Sequence, residues 1–172
     1  MPTSQSTYFD NAIYFDSSNP LRGYIGQCTW YCWSKAHIKA QAYPERKLNV
    51  SKLPTSGAGH WAADARAHGY TVSTTPISDS IAVWGSGHVA YVESWDGANV
   101  CFSEANWYTT PTPDNTIQVP GGAAFTSIKK NVKALTSNVR VVSGGTDGTF
   151  KNLPRHSFES RKESFLGYIY LN

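Results

Sequence analysis

The apolar positions of the chain change from helical to extended spacing at Gly69. Before this residue, apolar and small side chains recur with helical spacing over residues 28–42, and Pro44 ends the run. A second helix, rich in alanine, is predicted over residues 60–68, with Gly69 at its C-cap position. Residues 1–27 are polar and broken by proline and glycine, so we predict an irregular N-terminal arm.

Beyond Gly69 the apolar residues lie in short runs, which is typical of strands buried in a sheet. Asp96-Gly97 is a hairpin turn signal that joins two of these runs as antiparallel neighbours. Residues 108–164 carry turn-forming prolines and glycines around a single predicted strand. Helices first and antiparallel strands afterwards predict an α+β fold, with N-terminal helices packed on an antiparallel sheet. The predicted strands are residues 70–75, 80–84, 88–94, 99–107, 139–142 and 165–171.

The composition is that of one globular domain spanning residues 1–172. Hydrophobic residues make up 40% of the chain, which excludes a disordered protein, and only 16% of the residues are charged. No apolar run has the length of a membrane span, so we expect no membrane contact. Residues 1–20 lack the apolar centre of a signal peptide, and we expect a protein made in the cytoplasm without its own secretion signal.

The charge of the chain excludes few partners. The net charge is +3, and the adjacent basic pairs are isolated rather than clustered, so we expect no nucleic acid partner. Residues 107–172 hold eight Lys and Arg against four Asp and Glu, an excess of 8 − 4 = +4. We interpret these charges as a solvated face, and the alternative is attraction to an anionic polymer such as a cell wall.

Cys28 is the first candidate for chemistry, because it stands where the first helix is predicted to begin. A thiol at a helix N-terminus is favoured as the thiolate, which is the nucleophilic form. The alternative is a small buried hydrophobic residue, and Cys28 alone does not decide between the two. Cys32 and Cys101 are interpreted as packing residues. We expect no metal, because Cys28 and Cys32 are not matched by a second ligand pair.

His88 is the candidate base for a thiol nucleophile. It follows a glycine-containing loop and opens a predicted strand, which would hold the ring in place and leave it accessible. An imidazole base needs a third group to fix its tautomer. Glu104 and Asn106 lie two residues apart near the end of the next strand, so a regular strand would place both on one face. The alternative is a structural histidine beside an ordinary strand end.

Three segments together resemble the signature blocks of the CHAP domain, the cysteine, histidine-dependent amidohydrolases/peptidases. They are Gly26-Gln27-Cys28-Thr29-Trp30-Tyr31, Gly87-His88-Val89-Ala90-Tyr91-Val92-Glu93 and Ser103-Glu104-Ala105-Asn106-Trp107. Their order and spacing are specific, whereas any one block alone is weak. Weaker likeness extends over nearly the whole chain, up to its last predicted strand.

The resemblance implies a papain-like α+β fold and hydrolysis of an amide bond in peptidoglycan. The bond would be N-acetylmuramoyl-L-alanine or a peptide bond of the stem or cross-bridge, and both stay open. By matching position, Cys28 would be the nucleophile, His88 the general base and acid, and Glu104 the group that orients His88. Asn106 would support the site.

The same mechanism needs an oxyanion hole and a groove for the substrate. The backbone N–H of Cys28 would hold the oxyanion together with a second donor, for which Tyr24 and Gln27 are candidates. The aromatic residues Trp30, Trp107 and Tyr108 are candidates for the groove. For Trp30, a place in the core is the equal alternative.

The chain departs from the family in two places. Residues 108–164 are longer than expected between the last block and the final strand, so we predict an insertion there. Some phage members bind calcium in an Asp-rich loop before the cysteine. Only Asp16 and Asn19 stand near that place in this chain, without the Asp-x-Asp pattern, so we expect no calcium and no other cofactor.

We therefore predict a thiol-dependent peptidoglycan hydrolase of the phage lysin kind. A phage lysin without a signal peptide would reach the wall through a holin or from the virion. Its partners would be bacterial peptidoglycan and a separate wall-binding domain or virion protein. The alternative is a non-catalytic wall-binding or assembly module on the same fold.

Overall fold

The computed structural model describes residues 11–106, 116–119, 123–135, 137–143 and 148–172. The helices are α1 (Cys28–Ala42), α2 (Trp61–Ala67), α3 (Ala123–Leu135) and α4 (Arg155–Glu159). The strands are β1 (Val72–Ser73), β2 (Ser80–Trp84), β3 (His88–Trp95), β4 (Asn99–Ser103), β5 (Thr116–Val119), β6 (Arg140–Ser143), β7 (Lys151–Pro154) and β8 (Phe165–Tyr170).

A six-stranded sheet in the order β1-β8-β2-β3-β4-β7 forms the centre of the fold, and every pair of neighbours in it is antiparallel. Side chains alternate along β2, so Ile81 and Val83 face the helices α1 and α2 while Ala82 and Trp84 face an aromatic cluster on the other side. The predicted α+β fold, with N-terminal helices packed on an antiparallel sheet, is confirmed.

The elements nearest the chemistry agree closely with their predicted bounds. Helix α1 covers the predicted residues 28–42, and β2 covers the predicted residues 80–84. Helix α2 is shorter than predicted, because a turn of 3-10 helix (Ala58–His60) precedes it. Strand β4 ends at Ser103, and residues 107–115 lie outside the described part of the chain.

A second, two-stranded sheet lies within the predicted insertion. Strands β5 and β6 pair in parallel, and α3 connects them along the chain. The predicted strand at residues 139–142 corresponds to β6, whereas α3 was not predicted. Its apolar residues Phe125, Ile128 and Val132 have helical spacing and pack into the core shared with α1.

Strand β7, near the end of the predicted insertion, belongs to the central sheet. Strand β7 pairs with β4, and α4 follows β7 directly, with Phe158 packed in the aromatic cluster. The chain then returns as β8 between β1 and β2. No helix in the described ranges combines the length and the apolar character that a bilayer crossing requires.

Candidate active site

Cys28 is the first residue of α1, as the sequence predicts, and its side chain is buried except for a small part that faces a cleft. Gly26 makes the turn into the helix with a φ of 94°, a conformation that favours glycine. The backbone N–H groups of Thr29 and Val89 donate to the sulfur. These donors stabilise the thiolate, so this helix terminus suits a nucleophile.

His88 is the first residue of β3 and pairs with Trp84, the last residue of β2. The ring is 1% exposed and shares a hydrogen bond with the thiol of Cys28. Its Nε2 lies 2.8 Å from Oε1 of Glu104. Because a carboxylate only accepts, Nε2 carries a proton, and Nδ1 is the nitrogen left to face Cys28. The three predicted side chains therefore form one hydrogen-bonded chain.

Glu104 follows the end of β4 and is completely buried. Besides His88, two cations hold it: Nζ of Lys151 lies 2.9 Å from Oε2, and the guanidinium of Arg161 donates to both oxygens at 2.9 Å. Sequence reasoning missed both cations. Arg161 belongs to the basic stretch interpreted as a solvated face, and for Arg161 and Lys151 that interpretation is wrong because Glu104 draws them inward.

The ionisation of these groups follows from their contacts. Burial opposes ionisation of Cys28, but the hydrogen bond and attraction from His88 outweigh it and lower the pKa of the thiol. Burial likewise opposes a charged His88, but its bonds to Cys28 and Glu104 raise the pKa of the ring. For Glu104, the donors Arg161 and His88 outweigh burial and hold the pKa far below that of an ordinary carboxyl. The arrangement favours a thiolate beside an imidazolium.

Asn106 lines the same cleft as Cys28 and His88. Its backbone is left-handed, with a φ of 60°, so the residue does not continue β4. The side-chain Nδ2 donates to Oε1 of Gln27 at 2.6 Å. This bond fixes the side chain of Gln27 at the cleft beside Cys28. Asn106 thus holds the side chain of Gln27.

An open cleft of about 390 Å³ lies over Cys28 and His88. Tyr24 stands at its edge with 58% of its surface exposed, so of the two oxyanion candidates Gln27 is the one held in place. Lys162 contributes a positive charge, and no acidic side chain of the described residues lines the cleft. The described lining residues are Tyr24, Gln27, Cys28, Thr29, Gly57, Ala58, Gly87, His88, Asn106 and Lys162.

Of the three aromatic groove candidates, Trp30 is described, and it does not line this cleft. Trp30 is completely buried, and its Nε1 donates to the carbonyl of Tyr14 at 2.7 Å. Of the two alternatives for Trp30, the place in the core is the observed one, because its ring packs against Tyr14 and Phe15. Trp107 and Tyr108 lie outside the described residues.

A buried polar network fixes α1 against the sheet behind the site. The hydroxyl of Tyr31 donates to Ser103 at 2.7 Å, and Ser103 donates to Glu93 at 2.6 Å. Lys39 lies 2.8 Å from the same carboxylate, and the buried Lys35 lies 3.7 Å from it. Because Tyr31, Lys35 and Lys39 share one face of α1, the network sets the position of the helix that carries Cys28.

The other two cysteines lie apart from this chemistry. All three cysteines are free thiols. Burial raises the pKa of Cys32 well above that of an ordinary thiol and raises the pKa of Cys101 to about 11, so both stay protonated. The described residues contain no group of three or more His, Cys, Asp or Glu side chains that could hold a metal ion.

Comparison with known proteins gives a family match over the part of the chain that carries the site. The family model for the CHAP domain matches residues 18–106. A curated Staphylococcus aureus (strain NCTC 8325 / PS 47) protein named "Probable autolysin SsaALP" is 34% identical over 125 residues. The match covers 69% of this chain and 43% of that protein, so the chain spans less than half of its relative.

Two solved structures share lower similarity with the chain. One is an N-acetylmuramoyl-L-alanine amidase from Staphylococcus aureus, with 20% identity and a TM-score of 0.44 over 86% of this chain and 31% of that chain. The other is Ly7917, with 17% identity and a TM-score of 0.40 over 89% of this chain and 60% of that chain.

Proposed function

The chain belongs to the CHAP family, and on that premise we propose that it is a peptidoglycan hydrolase that cleaves an amide bond through the thiol of Cys28. The observation that carries the proposal is the hydrogen-bonded chain of Cys28, His88 and Glu104 at the floor of an open cleft. A buried carboxylate, an imidazole and a thiol in this order are the parts of an activated nucleophile.

The reaction follows from the positions of these groups. The thiolate of Cys28 attacks the carbonyl carbon of the scissile amide, and the oxyanion forms beside the amide of Gln27 and the backbone N–H at the start of α1. Protonated His88 gives its proton to the leaving nitrogen, which departs as an amine and leaves a thioester on Cys28. His88 then takes a proton from water, and the hydroxide attacks the thioester and releases the acid.

The charge of the cleft suits a stem peptide of the wall. Lys162 adds a positive charge to the lining, and the described lining residues include no carboxylate that would oppose it. Stem peptides carry free carboxylates, which such a cleft would attract. Both the N-acetylmuramoyl-L-alanine bond and a peptide bond of the stem or cross-bridge are amides that the same groups can cleave.

The proposal is tested on isolated Gram-positive cell walls, with the wild type compared to Cys28→Ala. We expect the wild type to release new amino groups and Cys28→Ala to release none while keeping the wild-type circular dichroism spectrum. Cys101→Ala is the matched control, because it removes a thiol outside the cleft and keeps the activity. Mass spectrometry of the fragments identifies the bond. Release of amino groups by folded Cys28→Ala would contradict the proposal.

The alternative function, a wall-binding or assembly module, gives a different result in the same experiment. Such a module would bind the walls and release no new amino groups even with Cys28 present. Delivery as a phage lysin through a holin or from a virion, with a separate wall-binding domain, stays a prediction. A gene position beside holin or tail genes would support it.

A further inference from the structure

We propose that Arg161 and Lys151 are positioning residues that fix the carboxylate of Glu104 and, through it, the tautomer and orientation of His88. The inference deepens the proposed function, since it takes Cys28 as the nucleophile and His88 as its base. Neither cation touches the reacting atoms; both act through Glu104.

The carboxylate of Glu104 is saturated with hydrogen-bond donors. Oxygen Oε1 accepts from His88 at 2.8 Å and from Arg161 at 2.9 Å. Oxygen Oε2 accepts from the other terminal nitrogen of Arg161 and from Lys151, both at 2.9 Å. Four donors fill the roughly four lone-pair sites of a carboxylate, so Glu104 has one orientation and no site left for a proton.

The tautomer of His88 follows from the ionisation of Glu104. A carboxylate that is always ionised can only accept from Nε2, which keeps the proton there and turns Nδ1 to Cys28. A protonated Glu104 could instead donate to Nε2, which would require the opposite tautomer. The two cations prevent this, because a fork-shaped guanidinium and an ammonium both favour the ionised carboxyl.

The fold surrounds the guanidinium of Arg161 with aromatic rings. Its guanidinium lies 4.5 Å from the ring centre of Phe102, 5.1 Å from that of Phe158 and 5.5 Å from that of Trp84. Cation–π contact with these rings offsets part of the cost of burying the charge. Packing against these rings also fixes the plane of the guanidinium, so its two terminal nitrogens donate to the two oxygens of Glu104.

The two cations come from one segment of the chain. Residues 148–161 contribute Lys151 on β7, Arg161 beyond α4, and the backbone N–H of Gly148, which donates to the carbonyl of Glu104 at 2.9 Å. This segment follows the family match, which ends at residue 106. Residues beyond the family match therefore contribute Lys151 and Arg161 to the site. Cys28, His88 and Glu104 of the same site lie within the match.

Several charged and titratable groups surround Glu104 and His88, the two side chains whose ionisation the proposal concerns. Arg161 and Lys151 are the cations nearest Glu104, and His88 faces it from β3. Cys28 faces His88 from α1, and Lys162 adds a positive charge at the cleft. Among the described residues, these groups are Cys28 and Cys32 on α1, His88 on β3, Lys151 on β7, and Arg161 and Lys162 beyond α4.

The experiment measures how fast iodoacetamide alkylates Cys28 in the folded protein as a function of pH, with mass spectrometry of the Cys28 peptide. The acid limb of this profile reports formation of the thiolate. We expect Arg161→Met to move its midpoint upward by about one pH unit, because a cation is lost and His88 is no longer fixed. Lys151→Met should move it in the same direction, and Arg161→Lys should move it less than Arg161→Met.

The matched control is Arg155→Met, which removes an arginine of α4 that pairs with Glu159 and does not contact Glu104. It should leave the midpoint at the wild-type pH. Wall hydrolysis by Arg161→Met should show a lower kcat with an unchanged KM. If Arg161→Met does not fold, Arg161→Lys and Lys151→Met decide the question.

A merely structural role makes a different prediction. Folded Arg161 and Lys151 variants with a lower melting temperature and an unmoved midpoint would overturn the proposal, even in an enzyme that cleaves walls through Cys28. Alkylation does not depend on the substrate. A shifted midpoint therefore supports the positioning role even if the proposed activity on walls fails.

Discussion

At the scale of single residues, Gln27 combines a structural position at the start of α1 with the proposed role of oxyanion donor. It is the N-cap residue of α1, and Asn106 holds its side chain at the cleft beside Cys28. Tyr24, the other oxyanion candidate, is mostly exposed. The oxyanion donor is therefore expected to be the residue that immediately precedes the nucleophile.

Replacing Gln27 tests this assignment. Gln27→Ala should lower kcat for wall hydrolysis about 10²- to 10³-fold with little change in KM, because one oxyanion donor is lost. Asn106→Ala should lower kcat less, since it only frees the Gln27 side chain. Tyr24→Phe is the control and should retain wild-type kcat. A wild-type kcat in Gln27→Ala together with a loss in Tyr24→Phe would reverse the assignment.

In the proposed mechanism, the thiolate and the imidazolium set the pH dependence of the reaction. The proposed reaction requires ionised Cys28, whose pKa lies below the ordinary thiol value of 9.0, and protonated His88, whose pKa lies above the ordinary value of 6.5. The profile of kcat/KM should therefore be a bell, with its acid limb below pH 9.0 and its alkaline limb above pH 6.5. An acid limb with its midpoint at or above pH 9.0, the ordinary pKa of a thiol, would show that the pair of thiolate and imidazolium does not form.

At the scale of elements, the loop before α1 is held against β5. Gly26 has a φ of 94°, and a Cβ there would overlap the carbonyl oxygen of Thr116. Strand β5 of the second sheet thus packs directly on the turn that begins α1. The position of α1 depends on a glycine at this contact.

Gly26→Ala should therefore lower the free energy of unfolding by at least about 2 kcal/mol, because it combines a strained φ with a clash against backbone. Gly23→Ala is the matched control, since a Cβ there meets nothing within 4 Å. Urea unfolding of both variants measures the difference. Equal stability of Gly26→Ala and Gly23→Ala would show that β5 does not constrain the start of α1.

The same elements show what the sequence could predict. Helix α1 and strand β2 were predicted with their observed bounds, because each is a periodic or continuous apolar run with clear ends. Helix α3 was missed, although Phe125, Ile128 and Val132 have helical spacing. The prolines and glycines around α3 favoured a prediction of loops. The parallel pairing of β5 with β6, which α3 connects, depends on tertiary contacts and leaves no local pattern in the sequence.

At the scale of the whole molecule, the site is assembled from distant parts of the chain. The predicted Cys28, His88 and Glu104 belong to recognisable local blocks, and the structure brings them into one hydrogen-bonded chain. Lys151 and Arg161 have no local signal, because a basic residue that faces solvent and one that faces a buried carboxylate look alike in sequence. Only the pairing of β7 with β4 brings them to Glu104.

This assembly links the stability of the fold to pH. The pKa of Glu104 is lower in the folded protein than the ordinary value of 4.5, so the stabilisation is complete above pH 4.5 and declines as pH falls below it. We expect this one carboxyl to contribute a slope of about 1.4 kcal/mol per pH unit below pH 4.5. Urea unfolding between pH 7 and pH 3 measures the slope.

Glu104→Gln removes the titrating group and should flatten that slope, although the uncompensated cations lower its stability at neutral pH. Glu45→Gln is the control, because Glu45 is an exposed carboxyl of the short 3-10 turn after α1 and should leave the slope nearly unchanged. An unchanged slope in Glu104→Gln would show that the stability of the fold below pH 4.5 is set by other carboxyl groups.

The most direct test of the account is to capture the covalent intermediate on Cys28. Walls mixed with the enzyme and quenched in acid within the first turnover should yield protein whose mass has increased by an acyl fragment of the wall. Proteolysis should place that fragment on the peptide that contains Cys28, and hydroxylamine should remove it as expected for a thioester. Hydrolysis of walls without any adduct on Cys28, in a reaction that Cys28→Ala also performs, would contradict the account.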